Sequence, residues 1–388
     1  MRNAYHTEWL RNLTLVKEAK AWSKSNFISH EEYVAIANAY PCKFYHPNLI
    51  IRILIFLASL LGLAGITGLF AIFFNDLNED SIAVMAIVYG LVSVVVLDKL
   101  VIGENHHYKS GLTEALLYHA MGFTLVGLAV AMDFEEQGIL WTCLLVFSFA
   151  AFRYLDLIST LVSLCLGAYL LFYYLYEFGG FLQQLIPVFF LLAFTPFYFL
   201  IKKWKENKSF DAWGNVLLVM EAFSLFVIYA AGNYLVVREL SVNLLSLELA
   251  EDQDIPFAWL FYLLTVIIPT LYLYVGIKKK DIVMLRVSLV VIAFSVFTFK
   301  YYYSLGHPEI TLTLAGAILL GITIALLRYL KTPKNGFTHE SILTEKWANS
   351  NVEAFMVAQT LGGNKIPESN GSNGGGGSFG GGGASGDF

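Results

Sequence analysis

The sequence predicts an all-α integral membrane protein with about ten transmembrane helices, and three observations carry that prediction. The 388 residues are 57% hydrophobic and only 14% charged, whereas soluble domains carry roughly 25% charged residues. Ten segments approach the run of about 20 apolar residues that a helix needs to cross a hydrocarbon core. The connections between those segments alternate in charge, as the loops of a multi-pass protein do.

The spans are expected at approximately 49–74, 82–101, 113–132, 138–153, 155–178, 184–201, 213–237, 257–277, 282–299 and 309–330. Almost nothing separates the fourth from the fifth, which predicts a tight hairpin around Arg153 and Asp156. One set of connections holds Lys99 and Lys109, then Arg153, then Lys202, Lys203, Lys205 and Lys208, then Lys278, Lys279 and Lys280. The other set includes NDLNED, DFEEQ and YEFGGFLQQ, which contain no Lys or Arg. Short basic loops stay cytoplasmic. Ten spans then put both termini in the cytoplasm of a bacterial inner membrane.

Residues 1–48 read as a cytoplasmic helical hairpin. WLRNLTLVKEAKAW places Leu10, Leu13, Val16 and Trp22 near one helical face. The next helix opens with a capping box, Ser29 followed three residues later by Glu32, and stops before Pro41. Packing on the membrane domain is one reading of this module; docking a cytoplasmic protein partner, through it or through the C-terminal tail, is the other. The first long apolar run starts near Leu49, so no cleavable signal peptide is expected. Residues 49–330 form the membrane domain. Residues 331–361 read as a cytoplasmic amphipathic helix with Ile342, Leu343, Trp347, Phe355 and Met356 as its apolar side chains. The Gly/Ser-rich segment 362–388 has no side chains with which to build a core and is expected to be disordered.

The opening WSKSNFISHEEYVAIANAY followed by many apolar spans resembles a group of uncharacterised bacterial membrane proteins, the domain-of-unknown-function-2157-like group. Its members open with a Trp, then Gly-Ile-Ser/Thr, acidic residues and a Tyr; Asn26 and Phe27 depart from that pattern here. The resemblance implies an N-terminal hairpin before a multi-span domain and implies no activity.

The net charge of −5 and the lack of a basic stripe give no sign of a nucleic-acid partner. Cys42, Cys143 and Cys165 make no metal-ligand spacing, and the last two sit in apolar runs that suit buried side chains. His106 and His107 read as solvated loop residues rather than metal ligands. No nucleophile elbow, phosphate loop, HExxH or paired-carboxylate motif occurs. The sequence therefore assigns no catalytic residue, cofactor or metal. Pro187, Pro196 and Pro269 should kink their helices, and Gly62, Gly65 and Gly68 should give the first span a thin packing face.

Charges at bilayer depth are costly and usually functional or paired. Glu221 is the only charge in the 24-residue run GNVLLVMEAFSLFVIYAAGNYLVV. It lies about 12 Å along its helix from Trp213, and Arg286 lies about 9 Å along its own from Lys280. His119 shares that depth, Glu114 is a turn shallower, and Arg153 and Asp156 mark the nearby hairpin. Glu221 is thus expected to pair with Arg286, within a polar layer in the cytoplasmic third. Such a layer reads either as a structural ion pair or as a site for an ion, a proton or a small anion. The function expected is non-enzymatic, either small-solute transport or a membrane scaffold or sensor. The alternative is a membrane enzyme acting on a lipid-linked substrate around Glu221, His119 and Arg286.

Overall fold

The computed structural model describes residues 3–24, 27–73, 78–244 and 254–302, with a few single positions between 317 and 329. All of them belong to the compact unit Met1–Leu343. Two short helices open it, α1 (Thr7–Lys24) and α2 (His30–Ala39). The membrane part begins with α3 (Leu49–Phe73), then α4 (Glu79–Val96), which continues through a π-helical turn at Leu97–Glu104. Next come α5 (Leu112–Ala131), α6 (Glu136–Tyr154), α7 (Leu157–Glu177), the single turn α8 (Phe181–Gln184) and α9 (Ile186–Glu206). A 3-10 turn, Lys208–Trp213, leads into α10 (Gly214–Gly232) and the short α11 (Tyr234–Glu239), before α12 (Ala258–Lys279) and α13 (Ile282–Tyr302).

Among the described residues, nine helices are long and apolar enough to cross a membrane. They correspond to the first nine expected spans. The tenth, together with the 331–361 helix and the Gly/Ser segment, lies outside the described residues, apart from a few single positions of the tenth. Helices are the natural solution here, because hydrocarbon offers no partner for an open backbone and a helix satisfies its own.

Neighbouring helices pack as antiparallel pairs, α4 on α5, α6 on α7, α9 on α10 and α12 on α13. The centre is α10, which touches α7, α9, α12 and α13 and is the most enclosed of the nine spans. At the edge, α3 has no buried residue in its most apolar stretch and presents Leu54, Leu57 and Leu61 outward. Gly62, Gly65 and Gly68 lie on it with no atom near enough to meet an added Cβ, so they are not the packing face expected. The close approach is between α4 and α5. A Cβ on Gly90 would stand 2.3 Å from Thr124 Oγ1 and 2.8 Å from the Ala120 carbonyl oxygen, and one on Gly127 2.7 Å from the Ala83 carbonyl oxygen. Small residues at such a seam let two backbones approach, which is how helices associate in lipid.

The prolines divide in a similar way. Pro187 sits in the first turn of α9, where its missing N–H costs nothing, and only Pro196 and Pro269 are inside helices. Leu155 in the left-handed conformation turns the α6–α7 hairpin, with Asp156 capping α7. The cysteines are less enclosed than expected, with Cys143 half-buried and Cys165 exposed.

The N-terminal hairpin caps one end of the bundle. The capping box is formed, Ser29 N–H donating to Glu32 at 2.7 Å and Glu32 N–H to Ser29 Oγ at 3.1 Å. Ala4 N–H donates to the Arg153 carbonyl at 2.8 Å, and Tyr45 and residues 106–108 exchange two backbone hydrogen bonds of 3.0 Å. Tyr5, Leu10, Leu13 and Phe44 share one apolar core with Leu97, Leu116, Tyr154 and Ile201 of the spans. His106 and His107 are drawn into this junction rather than left to solvent. The former packs edge-on against Trp9, and the latter bonds Ser110 Oγ at 2.9 Å and has its pKa lowered by burial. The loops gathered here are basic ones from the positive set.

Substituting Gly127 by Leu is expected to destabilise the protein by roughly 1–3 kcal/mol through overpacking, lowering the thermal midpoint in detergent, while Gly65→Leu leaves it unchanged. Equal effects at the two positions would show that the α4–α5 seam is not where close packing matters.

Candidate functional site

Glu221 is the eighth of the 19 residues of α10, and its side chain has no exposure to solvent. Its partners come from the last two turns of α9. Lys202 Nζ lies 2.5 Å from Oε1 and Lys205 Nζ 2.6 Å from Oε2. Positions three apart share a helical face, and the 3-10 turn at Lys208–Trp213 folds that face back along α10. Lys202 is shared, its aligned hydrogen bond going to Asp281. Asp281 caps α13, accepting the N–H groups of Val283 and Met284 on its other oxygen at 3.1 Å each. Two lysines and two carboxylates thus make an electrically balanced network across three helices, with the Tyr198 ring 5.7 Å from the Lys202 ammonium. Burial alone would raise the Asp281 pKa, but the Lys202 hydrogen bond, the Met284 N–H and the charges of Lys202 and Lys205 outweigh it and hold it below its ordinary 3.8.

The expected partner, Arg286, is absent from this network and is exposed. The depth estimate matched two residues along their axes and left their azimuths unknown. The buried stripe of α13 runs through Met284, Ser288, Val291, Ser295 and Thr298. Arg286 is two residues from Met284 and so points about 200° away from it.

The other expected residues belong to separate contacts. Glu114 accepts from Arg52 at 2.5 Å, from the Gly111 N–H at 2.8 Å and from Thr113 Oγ1 at 2.7 Å, so it both pairs with α3 and caps α5. His119 Nε2 is 3.2 Å from Thr67 Oγ1, and its ring packs on Tyr89 and Phe123, while its buried Nδ1 has no hydrogen-bond partner among the described residues. Arg153 pairs with Asp98 at 2.5 Å. Asp156 accepts the Ser159 N–H at 2.7 Å and the Tyr118 hydroxyl at 3.1 Å. The layer expected as one site is a set of separate ion pairs, caps and one histidine hydrogen bond, each tying two or three helices together. Arg52, Asp98, Lys202, Lys205 and Asp281 are the partners that were not singled out, and only their spatial neighbours identify them.

A second cluster lies toward the opposite end and is uncharged. The seventh span, expected to run unbroken through 213–237, breaks at Asn233, whose backbone is extended between α10 and α11. Asn233 is fully buried. Its Nδ2 donates to the Tyr229 hydroxyl at 2.8 Å and to Thr298 Oγ1 at 2.9 Å, and its Oδ1 accepts the Val236 N–H at 3.2 Å. The break frees the Tyr234 N–H, which donates to Thr265 Oγ1 at 2.9 Å. Pro269 in α12 lacks the N–H that would bond the Thr265 carbonyl, four residues earlier. Ser295 Oγ donates to that carbonyl instead, at 2.9 Å. Two helix defects are thus repaired by side chains of two neighbouring helices, α12 and α13. The Gly-Asn dipeptide at 232–233 was the available sequence signal.

Fold and geometry together define an all-α, multi-pass membrane protein with a charged cluster at one end of its bundle and a neutral polar cluster near the other. No family model, curated protein or solved structure matches the chain. Among the described residues, no three His, Cys, Asp or Glu side chains gather as a metal-binding group.

Glu221→Gln leaves Lys202 and Lys205 without their shared counter-charge. Removing one member of a buried pair costs up to about 3–5 kcal/mol, less here because both lysines reach solvent. A lower thermal midpoint is expected for Glu221→Gln and none for Arg286→Met; the reverse order would return Arg286 to the site. Asp281→Asn keeps the cap but loses the charge. A depressed carboxylate stabilises above its unfolded value of 3.8 and loses that stabilisation as pH falls through its folded value. The midpoint gap between wild type and Asp281→Asn should therefore be widest near neutrality and close on acidification, and a gap that widens in acid would contradict the pairing.

Proposed function

We propose that this chain transports a small polar solute across a bacterial inner membrane, with its N-terminal module on the cytoplasmic side. The observation that carries the reading is the helix break at Asn233, inside the bundle and lined by buried uncharged polar groups. Discontinuous helices in membrane bundles are tolerated where they are buried in protein or line a cavity, and transporters use them to build solute sites. The orientation is supported by the positive set of connections, several of which meet the N-terminal module. The resemblance of that module to bacterial membrane proteins supports the compartment. The lipid-linked enzyme reading finds less support, because His119 packs with Thr67, Tyr89 and Phe123 while Arg286 is exposed, and neither is a partner of Glu221.

The test uses the full chain in proteoliposomes whose orientation is set by single cysteines at positions 135 and 206, which should label from opposite faces. Vesicles shifted into iso-osmotic amino acids, sugars, polyols or amines are followed by light scattering. Entry of at least one solute class, slowed by Asn233→Ala, is expected. Rates equal to those of protein-free vesicles for every class would overturn transport, and both cysteines labelling from one face would overturn the orientation.

A further inference from the structure

The neutral cluster around Asn233 contains more oxygen than two repaired helix defects need. Thr265 Oγ1 takes the Tyr234 N–H and Ser295 covers the Thr265 carbonyl, which completes the repair. Asn233, Thr298 and Tyr229 add a further carboxamide and two hydroxyls, with Asn233 Oδ1 3.3 Å from Thr298 Oγ1. Asn233, Thr265, Thr298 and Tyr229 are all at most 2% exposed, and Ser295 is 8% exposed. We propose that Asn233 Oδ1, Thr298 Oγ1, Ser295 Oγ, the Tyr229 hydroxyl and the Thr265 carbonyl freed by Pro269 form a binding site for a monovalent alkali cation. This deepens the transport reading, on which it rests, by naming a coupling ion.

The chemistry favours a cation of that class over other ligands. Every proposed ligand atom is oxygen, and the hydroxyl groups can turn their hydrogens outward and present lone pairs. Asn233 Oδ1 stands 3.3 Å from Thr298 Oγ1 and Ser295 Oγ 2.9 Å from the Thr265 carbonyl oxygen; for an ion to enter, the Asn233 amide N–H groups that now reach Tyr229 and Thr298 turn away from these oxygens. The cluster carries no formal charge. A divalent ion would leave most of its dehydration cost uncompensated in such a place, whereas a singly charged ion needs less.

Location agrees with chemistry. Thr265 is seven residues from the start of α12, and Ser295 and Thr298 are seven and four from the end of α13, which places the cluster about 6–10 Å inside the bundle end. Among the described residues, that end carries the carboxylates Glu239 and Asp254 and the cations Arg238 and Lys300. The two carboxylates are held beside the cluster, Asp254 by the Tyr234 hydroxyl at 2.7 Å and Glu239 by the Tyr302 hydroxyl at 3.0 Å.

The experiment is a thermal-shift titration of the purified full chain, replacing choline chloride with sodium, potassium or magnesium chloride at constant ionic strength. A saturable rise of several degrees with sodium or potassium is expected. Thr298→Val should weaken it about tenfold or more, as loss of one supporting group does at metal sites. Radiolabelled sodium or potassium binding to the wild-type protein provides a readout that needs no variant, and the unlabelled ion should compete where choline does not. Identical melting in all four salts, a shift with magnesium alone, absence of competable label, or an undiminished shift in a folded Thr298→Val protein would each overturn the site. Solute entry that persists when choline replaces sodium and potassium would overturn the coupling while leaving transport intact. A sodium shift in a protein that moves no solute would do the opposite.

Discussion

Inside hydrocarbon, a charge can be matched only by the protein itself, and Glu221 imposes that constraint on the helix at the centre of the bundle. Its carboxylate is closed off from solvent on all sides, so α9 must deliver two lysines to it, and the second carboxylate at the start of α13 shares one of them. Those three helices are thereby fixed in register relative to one another. Apolar contacts such as Leu225, Ile268 and Val291 fill the space behind them, but greasy surfaces slide more freely than ion pairs do. In lipid, where tails are as apolar as leucine, packing alone gives helices little preference for each other. A neutral group of four charges supplies the specificity at the cost of dehydrating each member.

The same constraint acts on the backbone. Pro269 removes a donor from α12, and the break at Asn233 releases one from α10–α11. In water either loss would be repaired by solvent. Here Ser295 and Thr265 do so, and each lies on a helix other than the one it repairs. The two ends of the bundle therefore use different chemistry for one purpose. The end under the N-terminal module is held by opposite charges with some access to water, while the interior near the other end is held by hydroxyls and one carboxamide.

What the sequence disclosed was what depends on one chain segment at a time. Span positions follow from the length of apolar runs, the Ser29–Glu32 box from a three-residue spacing, and the α6–α7 hairpin from the few residues between Arg153 and Asp156. What it withheld depends on rotation about helix axes. Glu221 and Arg286 were matched in depth and faced different ways, and Lys202 and Lys205 were read as signposts of topology rather than as partners. The glycines show the same limit. Gly62, Gly65 and Gly68 form the neater pattern on paper, yet α3 stands at the rim, and Gly90 and Gly127 sit where two helices touch. The break at Asn233 was hidden because the residues around it are as apolar as an intact span.

The docking of the N-terminal module fixes an order of events during synthesis. Ala4 bonds to Arg153, so the segment before α1 must wait for a platform encoded about 150 residues later. At roughly 5–20 residues per second of translation, that interval is on the order of 7–30 s. Throughout it, Tyr5, Leu10, Leu13 and Phe44 have no bundle to bury them, and three or more spans must enter the bilayer before the fourth supplies Arg153. Through that interval the apolar face of the hairpin is therefore without its cover, and the hairpin's final position is set only after the α6–α7 turn has formed.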